Sequence, residues 1–463
     1  MKSSLGLIGL GTMGSALARN IASHGFKLSV WNRTEEKINK FINEFGKDNF
    51  YPSLSLEDFV ESLEKPRKII IMVPAGPPTL EVIKDLLPLL AKGDSIMDGG
   101  NAFFKDTEEI QIELQKIGIQ YLGTGISGGE EGALKGPSIM PGGTKKAYSA
   151  FETVLQKIAA ADFSGKSCVS YMGNGGAGHF VKMVHNGIEY AEIQMLIEAY
   201  DLLKKLYKLP NEEIANIFKK MNEGILGSFL LEISIEVLQK KEDGQDLLDL
   251  ILDTAGQKGT GTWTAEEALK LEVPIPTILS AVFVRQISNE TQKRKQLESL
   301  YPIQERTPNL TISEFSEHLE NALITTRLLN YEQGFELLKK ADKTYKFNLN
   351  FAEIARVWQG GCIIRSKILK DIHTAQKKHL NSLLQSDFAH NSIVKNIKSL
   401  RLITQTAIDF NVTVPAFSSA IYYFDAIRRS RLSVNLLQGL RDRFGAHGYA
   451  RTDKEGFFHT KWP

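Results

Sequence analysis

At 463 residues the chain exceeds one ordinary domain, so two or three are expected, with ample length for sizeable cores. Its 56 basic and 54 acidic residues nearly cancel, which excludes a nucleic-acid binder that works through bulk positive charge. Cys168 and Cys362 build no disulfide framework and suit a reducing compartment. Met1-Lys2-Ser3-Ser4 runs into a strand-like segment without a signal-peptide core, and no apolar run has membrane-spanning length. A soluble, cytoplasmic protein is expected.

The apolar run at 5–8 reads as a buried parallel strand leading into Gly9-Leu10-Gly11-Thr12-Met13-Gly14. Residues 15–24 then read as a helix, with Ala16, Leu17 and Ile21 at helical spacing, and 26–31 as the next strand. A lone G-x-G-x-x-G says little, but between these elements it is a dinucleotide fingerprint. Its glycines let the backbone approach a pyrophosphate at the positive end of the helix. Folds that take NAD usually carry an acid at the end of the second strand, bonded to the ribose hydroxyls. Here Asn32-Arg33-Thr34 stands there, with Lys37 nearby. Arg33 can pair with a 2′-phosphate through its planar fork, which favours NADP over NAD; the competing reading is a solvated surface arginine.

The alternation of strands and helices continues. Residues 68–73 read as a strand followed by Pro74-Ala75-Gly76 and a helix to residue 90. Residues 95–97 lead into Asp98-Gly99-Gly100-Asn101, and 120–122 form another strand. Loops at the carboxyl ends of such strands are where an open parallel sheet binds ligands. Residues 127–132 (Ser-Gly-Gly-Glu-Glu-Gly) and 136–143 (Gly-Pro-Ser-Ile-Met-Pro-Gly-Gly) then suit a nest of backbone N–H groups around an anion. Tight turns with solvated acids are the alternative, above all for Glu130 and Glu131.

From residue 178 the sequence turns helical. In Gly178-His179-Phe180-Val181-Lys182-Met183-Val184-His185-Asn186-Gly187-Ile188-Glu189-Tyr190, a helix places Lys182, His185, Asn186 and Glu189 on one face. A lysine in a low-dielectric pocket loses its proton more easily and can act as a base near neutral pH. On this segment alone, an ordinary amphipathic helix with a charged solvent face is the better reading. Helical periodicity dominates 181–432, interrupted by the glycine-rich loop 253–263, which holds Lys258, Thr260 and Gly261 and suits a phosphate or carboxylate. The last thirty residues, with Arg441, Arg443, His447 and Arg451, read either as a disordered tail or as an arm docked on a partner subunit.

Together the segments 9–14, 32–34, 98–101, 127–143, 178–190, 257–261 and 441–447 resemble, in order along the chain, the decarboxylating 6-phosphogluconate dehydrogenases, members of the β-hydroxyacid dehydrogenase superfamily. The resemblance implies an NADP-binding α/β Rossmann-type parallel-sheet domain (1–177), a large all-α substrate and dimerisation domain (178–434), and a C-terminal tail (435–463) that completes the site of a second subunit in a homodimer. It implies an oxidoreductase of the oxidative pentose phosphate pathway and gluconate utilization, taking 6-phosphogluconate to ribulose 5-phosphate, carbon dioxide and NADPH without a metal. Lys182 would be the base at the 3-hydroxyl, and Glu189 the acid at C1. The cofactor would touch Gly9, Leu10, Gly11, Thr12, Met13, Gly14, Asn32, Arg33, Thr34, Val73, Pro74, Ala75 and Asn101. Asn101, Ser127, Gly128, Gly129, His185 and Asn186 would hold the sugar acid. Tyr190, Lys258, Thr260 and Arg285 would hold its phosphate, joined by Arg441 and His447 of the second tail.

Four departures from the family pattern stand out. Pro74 occupies a usual lysine position, Leu134 an arginine, Thr262 a lysine and Met221 a tryptophan. Two rival readings remain at this point. A hydroxyisobutyrate-type dehydrogenase would share the fingerprint and a lysine but would be much shorter. A catalytically silent NADP-binding or scaffold protein would have no need to keep both Lys182 and Glu189.

Overall fold

The computed structural model describes residues 2–46, 49–256, 259–303 and 308–462. Among these, the N-terminal part is built on a sheet of seven strands: β1 (Leu5–Ile8), β2 (Leu28–Trp31), β3 (Phe50–Pro52), β4 (Lys68–Ile71), β5 (Ser95–Asp98), β6 (Gln120–Ser127) and β7 (Ser138–Gly143). Their order is β3-β2-β1-β4-β5-β6-β7, parallel except for β7, which runs antiparallel to β6. The connecting helices are α1 (Thr12–Ser23), α2 (Glu35–Phe45), α3 (Leu56–Glu61), α4 (Pro77–Leu86), α5 (Phe104–Lys116), α6 (Gly129–Lys135) and α7 (Lys145–Ile158). Alternate residues of the central strands feed two cores: Leu7, Val30 and Ile70 join one, and Ile8, Ile69 and Ile71 the other. A sheet covered on both faces needs such unbroken apolar strands.

The helical part opens with α8 (Ala177–Tyr207), 31 residues long, then α9 (Asn211–Glu223) and α10 (Phe229–Gln239). A short hairpin of β8 (Lys241–Glu242) and β9 (Gln245–Asp246) precedes α11 (Leu247–Leu250), α12 (Thr260–Lys270), α13 (Pro276–Ser288) and α14 (Thr291–Leu300). Next come α15 (Ile312–Tyr345), α16 (Phe351–Val357), α17 (Ile368–Gln376), α18 (Asp387–Asp409), α19 (Pro415–Ile427) and α20 (Val434–Gly445), and finally a hairpin of β10 (Tyr449–Ala450) and β11 (Phe457–Phe458). α8 and α15 form the spine of one large core that also takes in Phe104 and Met140 from the sheet side. No helix among the described residues is long and apolar enough to cross a membrane.

Two segments differ from the sequence reading, and for a third, the tail, that reading admits both disorder and a docked arm. The expected anion nest at 136–143 is instead largely β7, buried along its whole length and paired with β6. Its glycines serve contact between backbones rather than a ligand. A Cβ at Gly178 would collide with the carbonyl oxygens of Gly123 and Met140 and with the Gly142 amide, and one at Gly125 would collide with the Lys182 side chain. Strand β6 also runs to Ser127, well past the three residues expected, because Gly123 and Gly125 interrupt its apolar pattern. The tail is ordered: buried Asp442 accepts from the backbone N–H of Gly448 and Thr460, from Trp462 Nε1 and from His459 Nδ1, tying α20 to the terminal hairpin.

The packing of α8 on β6 and β7 yields a stability test. Gly178→Ala forces a methyl into backbone atoms that cannot rotate away, so a loss of about 1–3 kcal/mol is expected, the usual cost of overpacking. The checking measurement is the thermal unfolding midpoint, which should fall by several degrees; an unchanged midpoint would contradict this packing.

Candidate active site

The fingerprint loop has the shape a dinucleotide needs. Gly9 has a φ of +100°, and a Cβ at Gly14 would strike the Gly9 carbonyl, whereas a Cβ at Gly11 meets nothing within 4 Å. Gly11 caps α1 without a side-chain bond, so the first N–H groups of the helix have no side-chain partner there; Thr12 is exposed and Met13 packs on the core. Asn32 fixes the loop: its Oδ1 accepts from Leu10 N at 3.0 Å and its Nδ2 donates to Thr34 O at 3.1 Å. Beside it lies a cavity of about 200 Å³ lined by Asn32, Arg33, Thr34, Lys37, Val73 and Pro74, with Ala75 next in the chain. Arg33 is exposed, as a solvated surface arginine would be, yet it borders this cavity and donates from Nη2 to Glu81 on α4 at 2.8 Å. Asn101 is exposed beyond β5, where Asp98 accepts from Gly100 N at 2.9 Å and from Tyr121 OH at 3.1 Å.

The second half of the site lies at the amino end of α8, packed against β6. Lys182, His185 and Asn186 are buried there and Glu189 is partly buried, which excludes a solvated charged face. Lys182 Nζ donates to Asn186 Oδ1 at 2.6 Å and to Ser127 Oγ at 3.3 Å, and lies 3.3 Å from His185 Nδ1. His185 Nε2 is 3.2 Å from Ser127 Oγ, and its Nδ1 is 3.7 Å from Glu189 Oε2. Gly128 and Gly129 follow Ser127 with φ of +123° and +63° and open α6.

Burial sets the protonation of this cluster. It pushes the Lys182 amine below the ordinary lysine value, against the opposing pull of Glu189 and Cys362. It pushes the Glu189 carboxyl up, against Lys182 and Arg285. Burial also holds His185 well below the usual imidazole value, with Lys182 adding to the effect, so the ring is neutral beside the amine. One end of the array thus favours a free amine and the other a protonated acid, as an acid–base pair working near neutral pH requires.

A third group gathers around Tyr190. The Arg285 guanidinium lies over its ring, 3.4 Å from the centroid, and Gly261 packs so tightly on the ring that a Cβ there would collide with it. Thr260 begins α12 after Gly259, bringing the glycine-rich loop to the same place. Gln257 and Lys258 lie outside the described residues. Arg441 and His447 are not drawn in: both are exposed on the tail, Arg441 donating to Gln438 and His447 packing on Phe444.

Several neighbours carry no sequence signal. Buried Cys362 stands close enough to Lys182 for each to shift the other, and burial raises its thiol to about 12. Glu267 accepts from Lys105 Nζ at 3.0 Å and Tyr345 OH at 2.7 Å, and Trp263 packs on Phe103 at 5.4 Å, so α12 is fastened to the start of α5 beside Asn101. Both depend on contacts between residues far apart in the chain.

Residues 4–173 match the NAD binding domain of 6-phosphogluconate dehydrogenase, and residues 178–462 match the 6-phosphogluconate dehydrogenase C-terminal domain. The chain belongs to the 6-phosphogluconate dehydrogenase family. It is 45% identical to the NADP(+)-dependent, decarboxylating enzyme of Bacillus subtilis, over 100% of this chain and 99% of that one. The decarboxylating enzyme of Salmonella typhimurium is also 45% identical at the same coverage. A solved Plasmodium falciparum 6-phosphogluconate dehydrogenase, described in apo form and with NADP+ and with 6-phosphogluconate, superposes with a TM-score of 0.96. It is 40% identical and covers 99% of this chain and 100% of its own. Such coverage reaches through the tail, which a shorter hydroxyisobutyrate-type enzyme would not explain.

Proposed function

We propose that the chain is an NADP-dependent oxidoreductase that oxidatively decarboxylates 6-phosphogluconate to ribulose 5-phosphate and carbon dioxide, yielding NADPH in the oxidative pentose phosphate pathway. The observation that carries this reading is the buried Lys182–His185–Asn186–Glu189 face set against Ser127. The fingerprint glycines, Asn32, Arg33, Thr34 and the 73–75 turn would hold the cofactor, which when bound supplies the hydride acceptor. Neutral Lys182 takes the proton of the 3-hydroxyl as C3 is oxidised. Its ammonium then donates a hydrogen bond to the new carbonyl oxygen while the carboxylate leaves as carbon dioxide, doing the work of an electrophile without a metal. Protonated Glu189 gives its proton to C1 of the enediol. Asn101, Ser127, Gly128, Gly129, His185 and Asn186 orient the sugar acid, and Tyr190, Lys258, Thr260 and Arg285 take its phosphate.

A homodimer and a cytoplasmic setting fit the same reading. On α20, Leu436, Leu437, Leu440 and Phe444 are 67%, 56%, 52% and 72% exposed, a row of large apolar side chains that a second copy would cover. That docking would carry Arg441 and His447 into the second subunit's phosphate pocket.

Activity assays and subunit mixing test these assignments. Absorbance at 340 nm should rise when the protein meets 6-phosphogluconate and NADP, with NAD much poorer. Lys182→Met should remove at least ~10²–10⁴ of that rate while leaving NADP binding near normal; near-normal turnover would remove Lys182 from the chemistry. Arg441→Ala should raise KM for 6-phosphogluconate by about 10–100-fold, the loss of one charge-assisted hydrogen bond, with little change for NADP. Mixing it with Lys182→Met, with subunit exchange verified, should bring back a component with the unaltered KM, because one pocket then has its lysine and an intact neighbouring tail. Mixed dimers that show only the raised KM would mean that each tail serves its own subunit.

A further inference from the structure

We propose that Glu81 sets how strongly this chain prefers a 2′-phosphorylated cofactor, by occupying the guanidinium that would otherwise be free for the phosphate. The inference rests on the NADP reading above. Arg33 Nη2 already donates to Glu81 Oε2 at 2.8 Å, so one tine of the fork is taken. Both side chains are more than half exposed, 64% and 57%. Such a pair holds together weakly in water and exchanges partners readily, so Glu81 competes with an arriving phosphate without blocking it.

The surroundings give little to offset the carboxylate. The cavity's own cations are Arg33 and Lys37, while Pro74 brings none. Helix α4, which carries Glu81, opens with Pro77 and Pro78, so its first two positions lack the N–H groups that a helix start usually offers an anion. A 2′-phosphate therefore meets two cations and one competing carboxylate. An unphosphorylated ribose has no charge there and is largely indifferent to Glu81. The residue thus acts on the difference between the two cofactors rather than on binding of the shared nucleotide, and it is separate from the groups that touch the substrate.

The test uses the whole protein and two cofactor fragments, 2′,5′-ADP and 5′-AMP, with binding measured by calorimetry at fixed low salt. Glu81→Gln removes the charge and keeps the shape; Glu81→Ala removes both. Each should tighten 2′,5′-ADP by about 3–10-fold, the scale of one screened charge pair at a surface, and leave 5′-AMP within about 2-fold. Both variants replace an exposed side chain, and circular dichroism checks that they fold. A clear wild-type preference for 2′,5′-ADP that either variant leaves unchanged or lowers would overturn this role, Glu81 then orienting Arg33 or doing nothing. A wild-type protein that does not distinguish the fragments, and gains no preference from either variant, would overturn the NADP reading along with it.

Discussion

Everything at the candidate site depends on the close approach of α8 to β6 and β7. Helix and sheet usually keep side chains between them; here Gly123, Gly125, Gly142 and Gly178 remove those side chains, and backbone meets backbone. The Lys182 stem then lies flat against Gly125, with its amine between Ser127 and Asn186 and no room for bulk water. Desolvation of that amine follows from the packing and destabilises its charged form. The same seam joins the two halves of the molecule, so the cofactor loop and the substrate helix cannot be positioned independently.

The rest of the site is arranged around that seam by ties between distant segments. Glu267 links α12 to Lys105 on α5 and to Tyr345 on α15, while Trp263 stacks beside Phe103. The loop carrying Asn101 and the helix beginning at Thr260 are therefore held by a common group of side chains. Farther out, the cavity beside the fingerprint is more open to water: its arginine is exposed and shared with Glu81, and Pro74 adds no charge.

How much of this was legible depended on the range of the interaction. The fingerprint could be read because its strand, turn and helix are contiguous, and the Lys182 face because helical spacing alone brings i, i+3, i+4 and i+7 together. The role of residues 136–143 could not be read: glycines and prolines that usually mark turns here form a buried strand, and the reason is a helix that arrives from residue 177 onward. Cys362 beside Lys182, Glu81 beside Arg33 and the Glu267 ties were likewise silent, since nothing local marks them. The tail's composition left disorder and a docked arm both open, because the buried carboxylate of Asp442, which gathers four donors there, draws them from residues up to 20 positions away.

Packing on β6 desolvates the Lys182 amine and lowers its proton affinity. Titrating the protein with ¹³C-labelled lysine side chains by NMR tests this most directly, the Lys182 signal being the one lost in Lys182→Met. The account predicts that this signal titrates apart from the other lysines, below their usual value near about 10.4. A Lys182 signal that titrates together with the rest would contradict it.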